Sequence, residues 1–161
     1  MADTTIQGAD DLRRFLREFP MAAQRGAYKG MQAGTLRVQR AARGNLKPWE
    51  QGGGVDRGTL RQSIAAFVQY VVGGVRGMVG SNLTYAPHVE FGTRPHWPPK
   101  GALAVWAKRH GVDEDAIRYA ISRRGTRARK FLRTAVSDEM QNVIEDLVRE
   151  VRAAVLEAAG K

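Results

Sequence analysis

The chain has 161 residues, no cysteine and a net charge of +10 at neutral pH. A chain of this length buries the core of one domain, so we expect residues 1–161 to form a single domain. The lack of cysteine excludes disulfides, thiol nucleophiles and sulfur-ligated zinc, and no apolar run reaches the roughly 18 residues that span a bilayer, so we expect a soluble protein without membrane contact. Arginine outnumbers lysine by 20 to 6, which predicts acidic partners, either nucleic acid or an acidic protein face.

Residues 10–43 predict a helical region. A short amphipathic helix begins at Asp10 and ends at Pro20, because the residue before a proline is pushed out of the helical conformation. A second helix is predicted from about Met21 to Arg43, with an apolar stripe along one side: Tyr28, Met31, Thr35, Val38 and Ala42. Another side carries a basic strip: Arg25, Lys29, Arg40 and Arg43. This strip is either a solvated face or a contact surface for a neighbouring subunit or for DNA.

Residues 44–58 predict a flexible loop, because glycine, proline and asparagine are concentrated there. The loop contains Gly53 and, further on, Gly58 followed by Thr59, as in a phosphate-binding loop. It lacks the lysine between the second glycine and the threonine that would reach a terminal phosphate. The spacing therefore does not support a nucleotide site.

Residues 60–95 predict a small antiparallel sheet followed by a central motif. From Leu60 to Ser81 the pattern has a period of two, and Gly73-Gly74 predicts the turn between two strands. The weak polar contrast along the first strand predicts that both of its faces are covered. A single hairpin is only marginally stable alone, so it must pack on helices, pair with more strands, or be completed by another subunit.

The central motif covers residues 85–93. Its aromatic and aliphatic side chains form an apolar anchor where strand-like sequence gives way to helix-like sequence: Tyr85, Val89 and Phe91. Tyr85 and Val89 lie four positions apart, which allows a helical turn here in place of a third strand. Glu90 sits in apolar company and needs a partner if it is buried. With 20 arginines in the chain, we predict an arginine contact for Glu90, within the subunit or across an oligomer.

Residues 96–127 predict an inserted helical hairpin. Its first helix runs from Lys100 to His110 and stops at Gly111, and Asp113 is a good N-cap for a second helix from Glu114 to Arg124. The densest basic cluster follows: Arg123, Arg124, Arg127, Arg129 and Lys130.

Residues 131–160 predict a long C-terminal helix. Phe131 and Leu132 anchor the chain before it, and the helix itself should run from about Arg133 to Ala159. Its predicted buried stripe has helical spacing: Val136, Met140, Ile144, Leu147, Val151 and Val155. At ~1.5 Å per residue the helix is roughly 40 Å long, so it must pack along most of the domain or project past it.

The sequence offers no converging catalytic constellation. The three histidines include His88, two positions before Glu90, but the deaminase chemistry that this spacing suggests requires cysteine ligands. The acids at 113–115 fit helix capping better than a cation site. We therefore expect no enzyme, no metal and no cofactor; a hydrolase or three-histidine metalloprotein stays a third hypothesis.

Three motifs in order resemble a known phage family. They are Gly58-Thr59-Leu60-Arg61-Gln62-Ser63-Ile64, then Tyr85-Ala86 through Val89-Glu90-Phe91-Gly92-Thr93, then Phe131-Leu132-Arg133-Thr134-Ala135. This order resembles the neck or tail-completion family of tailed phages, the gene-product-ten-like proteins of lambdoid siphophages. Thr134 stands where that family usually has proline, and the 96–127 insertion resembles a variant that carries a helical hairpin.

The resemblance implies an α+β fold, with long N- and C-terminal helices packed on a small antiparallel sheet. It implies a non-enzymatic virion protein at the head–tail junction, a tail terminator or neck component that is assembled in the host cytoplasm. Its partners would be copies of itself in a hexameric ring and the adjacent connector, stopper and tail tube proteins. The resemblance also allows contact with DNA in the channel. The motif residues Ala86, Gly92 and Thr93, with those named above, would form a fold and assembly hub. The alternative is a nucleic-acid-binding module that uses the Arg-rich segments.

Overall fold

The computed structural model describes residues 20–47 and 58–160. The helices and strands in chain order are α1 (Pro20–Asn45), α2 (Thr59–Ser63), β1 (Ala65–Val71), β2 (Gly74–Gly80), α3 (Ala86–Phe91), α4 (Ala104–His110), α5 (Glu114–Arg124) and α6 (Phe131–Ala158). Two long helices and one small antiparallel sheet confirm the α+β prediction. The predicted helix at 10–19 and residues 48–57 of the predicted loop lie outside the described residues, while residues 44 and 45 of that loop are helical.

The described residues divide into two compact units. The first comprises residues 20–41, 65–80 and 135–160, and the second comprises 42–47, 58–64 and 81–134. This division does not test whether residues 1–161 form a single domain, which stays a prediction. No helix of the described residues is both long enough and apolar enough to cross a membrane.

In the first unit, α1 packs closely against α6 through three glycines spaced four residues apart. A Cβ atom added at Gly26 would lie 2.6 Å from the carbonyl oxygen of Glu150, and one at Gly30 would lie 2.6 Å from the Cα of Leu147. At Gly34 the added atom would meet the side chain of Val143 at 2.7 Å. Glycine costs a helix about 1 kcal/mol relative to alanine. Here it is required because the two backbones come too close for a side chain.

The core beside these glycines is formed by small and branched side chains: Ala22, Ala23, Val151 and Val155. Thr35 and Val38 of the predicted α1 stripe are buried as well. On α6 the predicted stripe is correct at its C-terminal end but wrong at Val136 and Met140, which are exposed. The apolar spacing therefore predicts the wrong helical phase for the N-terminal half of α6.

The hairpin packs one face on α1 and leaves the other open. The Tyr70 ring stacks on the Tyr28 ring with centroids 4.8 Å apart, and Gly77 approaches the side chains of Met31 and Thr35. On the opposite face Phe67 pairs with Met78 and remains 62% exposed. The prediction that both faces are covered is therefore wrong for the described chain alone.

Two further details of the predicted sheet are corrected. The register pairs Val71 with Gly74, so the turn consists of Val72 and Gly73, with Gly73 at φ 82°. Thr59–Ser63 forms the short helix α2 in place of the start of a strand. In that segment Leu60 is buried, and the Ser63 hydroxyl bonds both to the Leu60 carbonyl and, at 2.7 Å, to Ser81.

In the second unit, the helical hairpin forms with the predicted boundaries of α5. The Asp113 carboxylate accepts a hydrogen bond from the Ala116 amide at 3.1 Å, which confirms it as the N-cap. Gly111 ends α4 in the left-handed conformation with φ 65°, as the sequence predicts. Glu114 ties the hairpin to its entry segment, because its Oε1 accepts hydrogen bonds from the amides of Gly101 and Leu103 at 2.8 and 3.2 Å.

Candidate functional site

The central motif forms a single helical turn. α3 runs from Ala86 to Phe91 with a proline in its first turn, which confirms the helical interpretation. Ala86 and Glu90, four positions apart, point inward and are buried. Tyr85 and Phe91 are exposed, so the apolar anchor predicted from these two aromatics is wrong. The buried residue of greatest chemical interest is therefore Glu90, which is only 6% exposed.

The Glu90 carboxylate caps the long helix α6. Its Oε2 accepts a hydrogen bond from the Leu132 amide, and its Oε1 accepts one from the Arg133 amide, both at 2.9 Å. These amides belong to the first turn of α6, where backbone N–H groups have no partner inside the helix. A carboxylate is also favoured there by the positive end of the helix dipole.

The residue preceding α6 explains why the cap comes from elsewhere. Lys130 adopts a left-handed conformation with φ 51°, and a lysine side chain has no acceptor for an amide. The backbone is joined to α3 as well, since the amides of Arg129 and Lys130 donate to the carbonyls of Val89 and Glu90 at 2.9 and 3.0 Å. The sequence prediction identified Glu90 as needing a partner. The partners that the structure shows are backbone amides, and the arginine contact stays a prediction.

Thr93, at the end of the motif, is hydrogen-bonded to Thr126, at the far end of the insertion. The Thr93 amide donates to the Thr126 carbonyl at 3.2 Å, and the Thr126 amide donates to the Thr93 hydroxyl at 3.0 Å. Gly92 and Gly125 have φ values of 72° and 69°, and an added Cβ at either would collide with the backbone of the opposite segment. Both positions therefore require glycine, and together they form the stem of the helical hairpin.

A groove of about 970 Å³ opens beside α3, and motif and insertion residues together form its lining. Its apolar lining includes Val89, Leu103, Trp106 and Ile121. Its arginines and histidines are His88, Arg94, His96, Arg127 and Arg129, and the Tyr85 ring also lines it. The lining contains no carboxylate. The groove thus combines an apolar surface with positive charge.

Comparison with known proteins identifies the family. The family model HK97-gp10-like, described as "Bacteriophage HK97-gp10, putative tail-component", matches residues 10–92, which is slightly more than half of the chain. The chain belongs to this family. Among curated proteins and solved structures, none matches it significantly. The protein is therefore a structural, tail-associated component of a bacteriophage, in agreement with the resemblance seen in the sequence.

The matched region contains the first motif and all but the last residue of the central one. It ends at Gly92, so the insertion and the motif at 131–135 lie outside it. In that third motif the Thr134 amide donates to the Lys130 carbonyl at 2.9 Å. A proline, which this sequence lacks at 134, has no amide hydrogen for that bond.

The prediction of a basic strip on α1 is correct for three of its four cations. Arg25, Lys29 and Arg40 are exposed on one side of the helix, together with Leu36. Arg43 has a structural role, because its Nη2 donates to the Ile64 carbonyl at 2.7 Å. Its Nε is buried without a hydrogen-bond partner. The exposed surface therefore contains three of the four predicted cations.

The second basic cluster is distributed over three local settings. Arg123 and Arg124 are exposed in the last turn of α5, and Arg127 and Arg129 line the groove. Lys130 occupies the left-handed position before α6, where Phe131 is buried. Arg133 places its guanidinium 5.9 Å from the centre of the exposed Phe91 ring, a cation–π contact that sequence reasoning missed.

The histidines of the motif region do not form a metal centre with neighbouring acids. His88 and His96 both line the groove, and the His96 Nδ1 lies 2.9 Å from the Arg94 carbonyl oxygen. Within residues 20–47 and 58–160, no group of three histidine, aspartate or glutamate side chains is placed to hold a metal ion. The chemistry that the site does support is hydrogen bonding and ion pairing with a partner.

Proposed function

We propose that this chain is a ring-forming component of the phage head–tail junction, a neck, tail-completion or tail-terminator protein. The ring is a homo-oligomer, hexameric to match a tail tube, and it joins the adjacent connector or stopper to the tube. It is assembled in the host cytoplasm and retained in the virion. Membership of a family of phage tail components supports the class of function.

The main support for the proposed ring is the exposed face of the β1–β2 hairpin. Phe67 and Met78 are direct cross-strand neighbours, 62% and 43% exposed. In the described part of the chain the sheet has only two strands, so each strand keeps one unpaired edge. Apolar side chains beside open strand edges favour association with another chain. A contact of this kind, repeated around an axis, closes a ring.

Charge also favours contact between different faces of neighbouring copies. Exposed cations lie along α1, and exposed carboxylates lie along α6: Asp138, Glu145 and Glu157. The sequence of α1 contains no acidic residue. These carboxylates, which share α6 with the exposed Arg149 and Arg152, can pair with the α1 cations of a neighbouring copy, which is the head-to-tail arrangement that a ring needs.

Substitution of the open hairpin face tests the ring. We expect the double variant Phe67→Asp, Met78→Asp to lose the oligomer in light scattering and to fail to enter particles, because two buried carboxylates oppose the contact. Val72→Asp is the matched control, since Val72 is fully exposed at the hairpin turn. Circular dichroism checks that the variants keep their helices. Particles built normally from the double variant would contradict the interface.

A DNA-binding module is the second candidate function. The observation in its favour is the line of exposed cations on α1, Arg25, Lys29 and Arg40, whose side chains are available to phosphates. Binding to duplex DNA over a range of salt concentrations tests this candidate directly.

A further inference from the structure

We propose that the groove beside α3 is a docking site for an extended acidic peptide segment that carries apolar side chains, contributed by another protein. The inference goes beyond the proposed ring and does not depend on it. The site is built from the α3 turn, the segment that follows it, and the α4–α5 hairpin. All of these belong to the second compact unit.

The shape of the groove is held by its own hydrogen bonds. The stem between Thr93 and Thr126 fixes the two ends of the insertion at one side. On the other side the His96 amide donates to the Ile121 carbonyl at 3.4 Å, and the Arg118 Nε donates to the Pro98 carbonyl at 3.0 Å. Because these bonds join the entry segment to α5, the groove exists before a partner arrives, which lowers the entropy cost of binding.

The lining favours apolar side chains at its base. Val89, Leu103, Trp106 and Ile121 contribute aliphatic and aromatic surface, and Pro98 is buried at the edge. At about 970 Å³ the groove is at the upper end of the range of small-molecule pockets, about 300–1,000 Å³. Since it is open to solvent, it suits a segment of chain that lies across it.

The charge of the lining selects an acidic segment. Arg94 and Arg127 are exposed at the groove and present planar guanidinium groups, which bind carboxylates through two parallel hydrogen bonds. The nearest carboxylate of the motif, Glu90, is buried and bonded to the first-turn amides of α6. Its charge therefore does not serve the groove, and the exposed Arg94 and Arg127 guanidinium groups can bind the carboxylates of a partner.

The apolar side chains of the groove favour a peptide over a nucleic acid. Single strands bind on a series of aromatic rings whose faces are free to stack on successive bases. Of the aromatic residues in the lining, Trp106 already contacts His110, with ring centroids 4.5 Å apart. The rest of the lining contains the aliphatic side chains of Val89, Leu103 and Ile121 and two prolines, which match leucine-like side chains, beside the exposed rings of Tyr85, His88 and His96.

Fluorescence anisotropy with defined peptides tests the site on the full chain. The probe is a fluorescein-labelled peptide of about four Glu-Leu-Pro repeats, extended at ~3.1 Å per residue. We expect it to bind at about 150 mM salt, and we expect Lys-Leu-Pro and Glu-Ser-Pro repeats to bind at least about tenfold more weakly. Failure of the Glu-Leu-Pro probe to bind, or equal binding of either control peptide, would overturn the proposal.

Paired charge reversals locate the binding to the groove. Arg94→Glu with Arg127→Glu should weaken the Glu-Leu-Pro probe by about tenfold or more. Arg123→Glu with Arg124→Glu is the matched control, because it makes the same change of charge at exposed α5 positions outside the lining. The control should stay within about twofold of wild type, as ordinary surface substitutions do. Equal losses in both variants, or displacement of the probe by an oligo-dT strand at the same salt, would overturn the assignment.

Discussion

Glu90 shows how one buried carboxylate can join two helices that are distant in sequence. Each of its two carboxylate oxygens accepts a hydrogen bond from a backbone amide of α6. Glu90 of the six-residue helix α3 therefore caps a helix of 28 residues. The sequence indicated that Glu90 needs a partner, because a carboxylate in apolar company is costly. It could not indicate which partner, since the left-handed Lys130 that brings the amides within reach is a consequence of folding.

Removal of the Glu90 cap should destabilise the start of α6. We expect Glu90→Ala to lower the free energy of unfolding by about 2–3 kcal/mol, because the cap is lost and two amides are left without their acceptor. Glu90→Gln keeps one oxygen acceptor and should cost less. Chemical denaturation measures both losses, and hydrogen exchange should rise at the amides of Leu132 and Arg133. Glu157→Gln, an exposed substitution on the same helix, is the control, and equal stability of all three variants would contradict the capping role.

Asp146 is the second buried carboxylate with a defined role. It is 3% exposed, and it accepts hydrogen bonds from Arg37 of α1 at 3.1 Å and from Arg149 of α6 at 2.6 Å. Burial alone would raise the pKa of Asp146, but the hydrogen bonds and charges of Arg149 and Arg37 outweigh it and hold the pKa below its usual value. The residue therefore stabilises the fold in its ionised form.

The lowered pKa of Asp146 gives a pH-dependent prediction. A group whose pKa falls on folding contributes stability above its unfolded pKa of about 3.9, and that contribution is lost as the pH drops through the folded value. We expect Asp146→Asn to cost about 1–3 kcal/mol of unfolding free energy at pH 7. The difference from wild type should shrink below about pH 4. Urea denaturation at both pH values measures it, with the exposed Asp138→Asn as control; a difference that is independent of pH would contradict the role.

At the scale of elements, the contact between α1 and α6 rests on backbone approach at Gly26, Gly30 and Gly34. The four-residue spacing of these glycines is visible in the sequence, and it could have predicted the face of α1 that meets another helix. Periodicity alone placed Val136 and Met140 in the buried stripe of α6, and both are exposed. The phase of a long helix depends on where its partner lies, which apolar spacing does not determine.

Gly30 gives the sharpest test of that contact. In an open helix, Gly→Ala adds about 1 kcal/mol of stability. At Gly30 the new methyl would lie 2.6 Å from the Cα of Leu147, so α1 and α6 would have to separate, and we expect a net loss of about 1–3 kcal/mol. Gly44→Ala, also on α1, is the matched control because nothing lies within 4 Å of its added Cβ. Thermal unfolding measures both, and a Gly30→Ala protein as stable as the control would contradict the close approach.

At the scale of the whole molecule, the sequence predicted the α+β class, the family and the boundaries of α5, because caps and motifs are local signals. The roles of single cations were harder to predict. Arg43 shares a face with Arg40 in the sequence pattern, but it bonds the Ile64 carbonyl, since the segment that precedes β1 returns to the end of α1. Such returns of the chain follow from tertiary structure and leave no periodic signal.

The exposed cations of α1 provide a test that distinguishes the two candidate functions. If Arg25, Lys29 and Arg40 meet a neighbouring subunit, DNA binding should be weak and largely unchanged by Arg25→Glu with Lys29→Glu. If they contact phosphates, three contacts give a slope of about −2.7 in a plot of log affinity against log salt, from about −0.9 per phosphate. Anisotropy of a labelled duplex measures the slope, with Lys100→Glu and Lys108→Glu as a control of equal charge, because these two exposed lysines lie outside both predicted basic segments. We expect a slope shallower than about −2.7. A slope of that size that only the α1 variant reduces would favour the DNA-binding module over the ring contact.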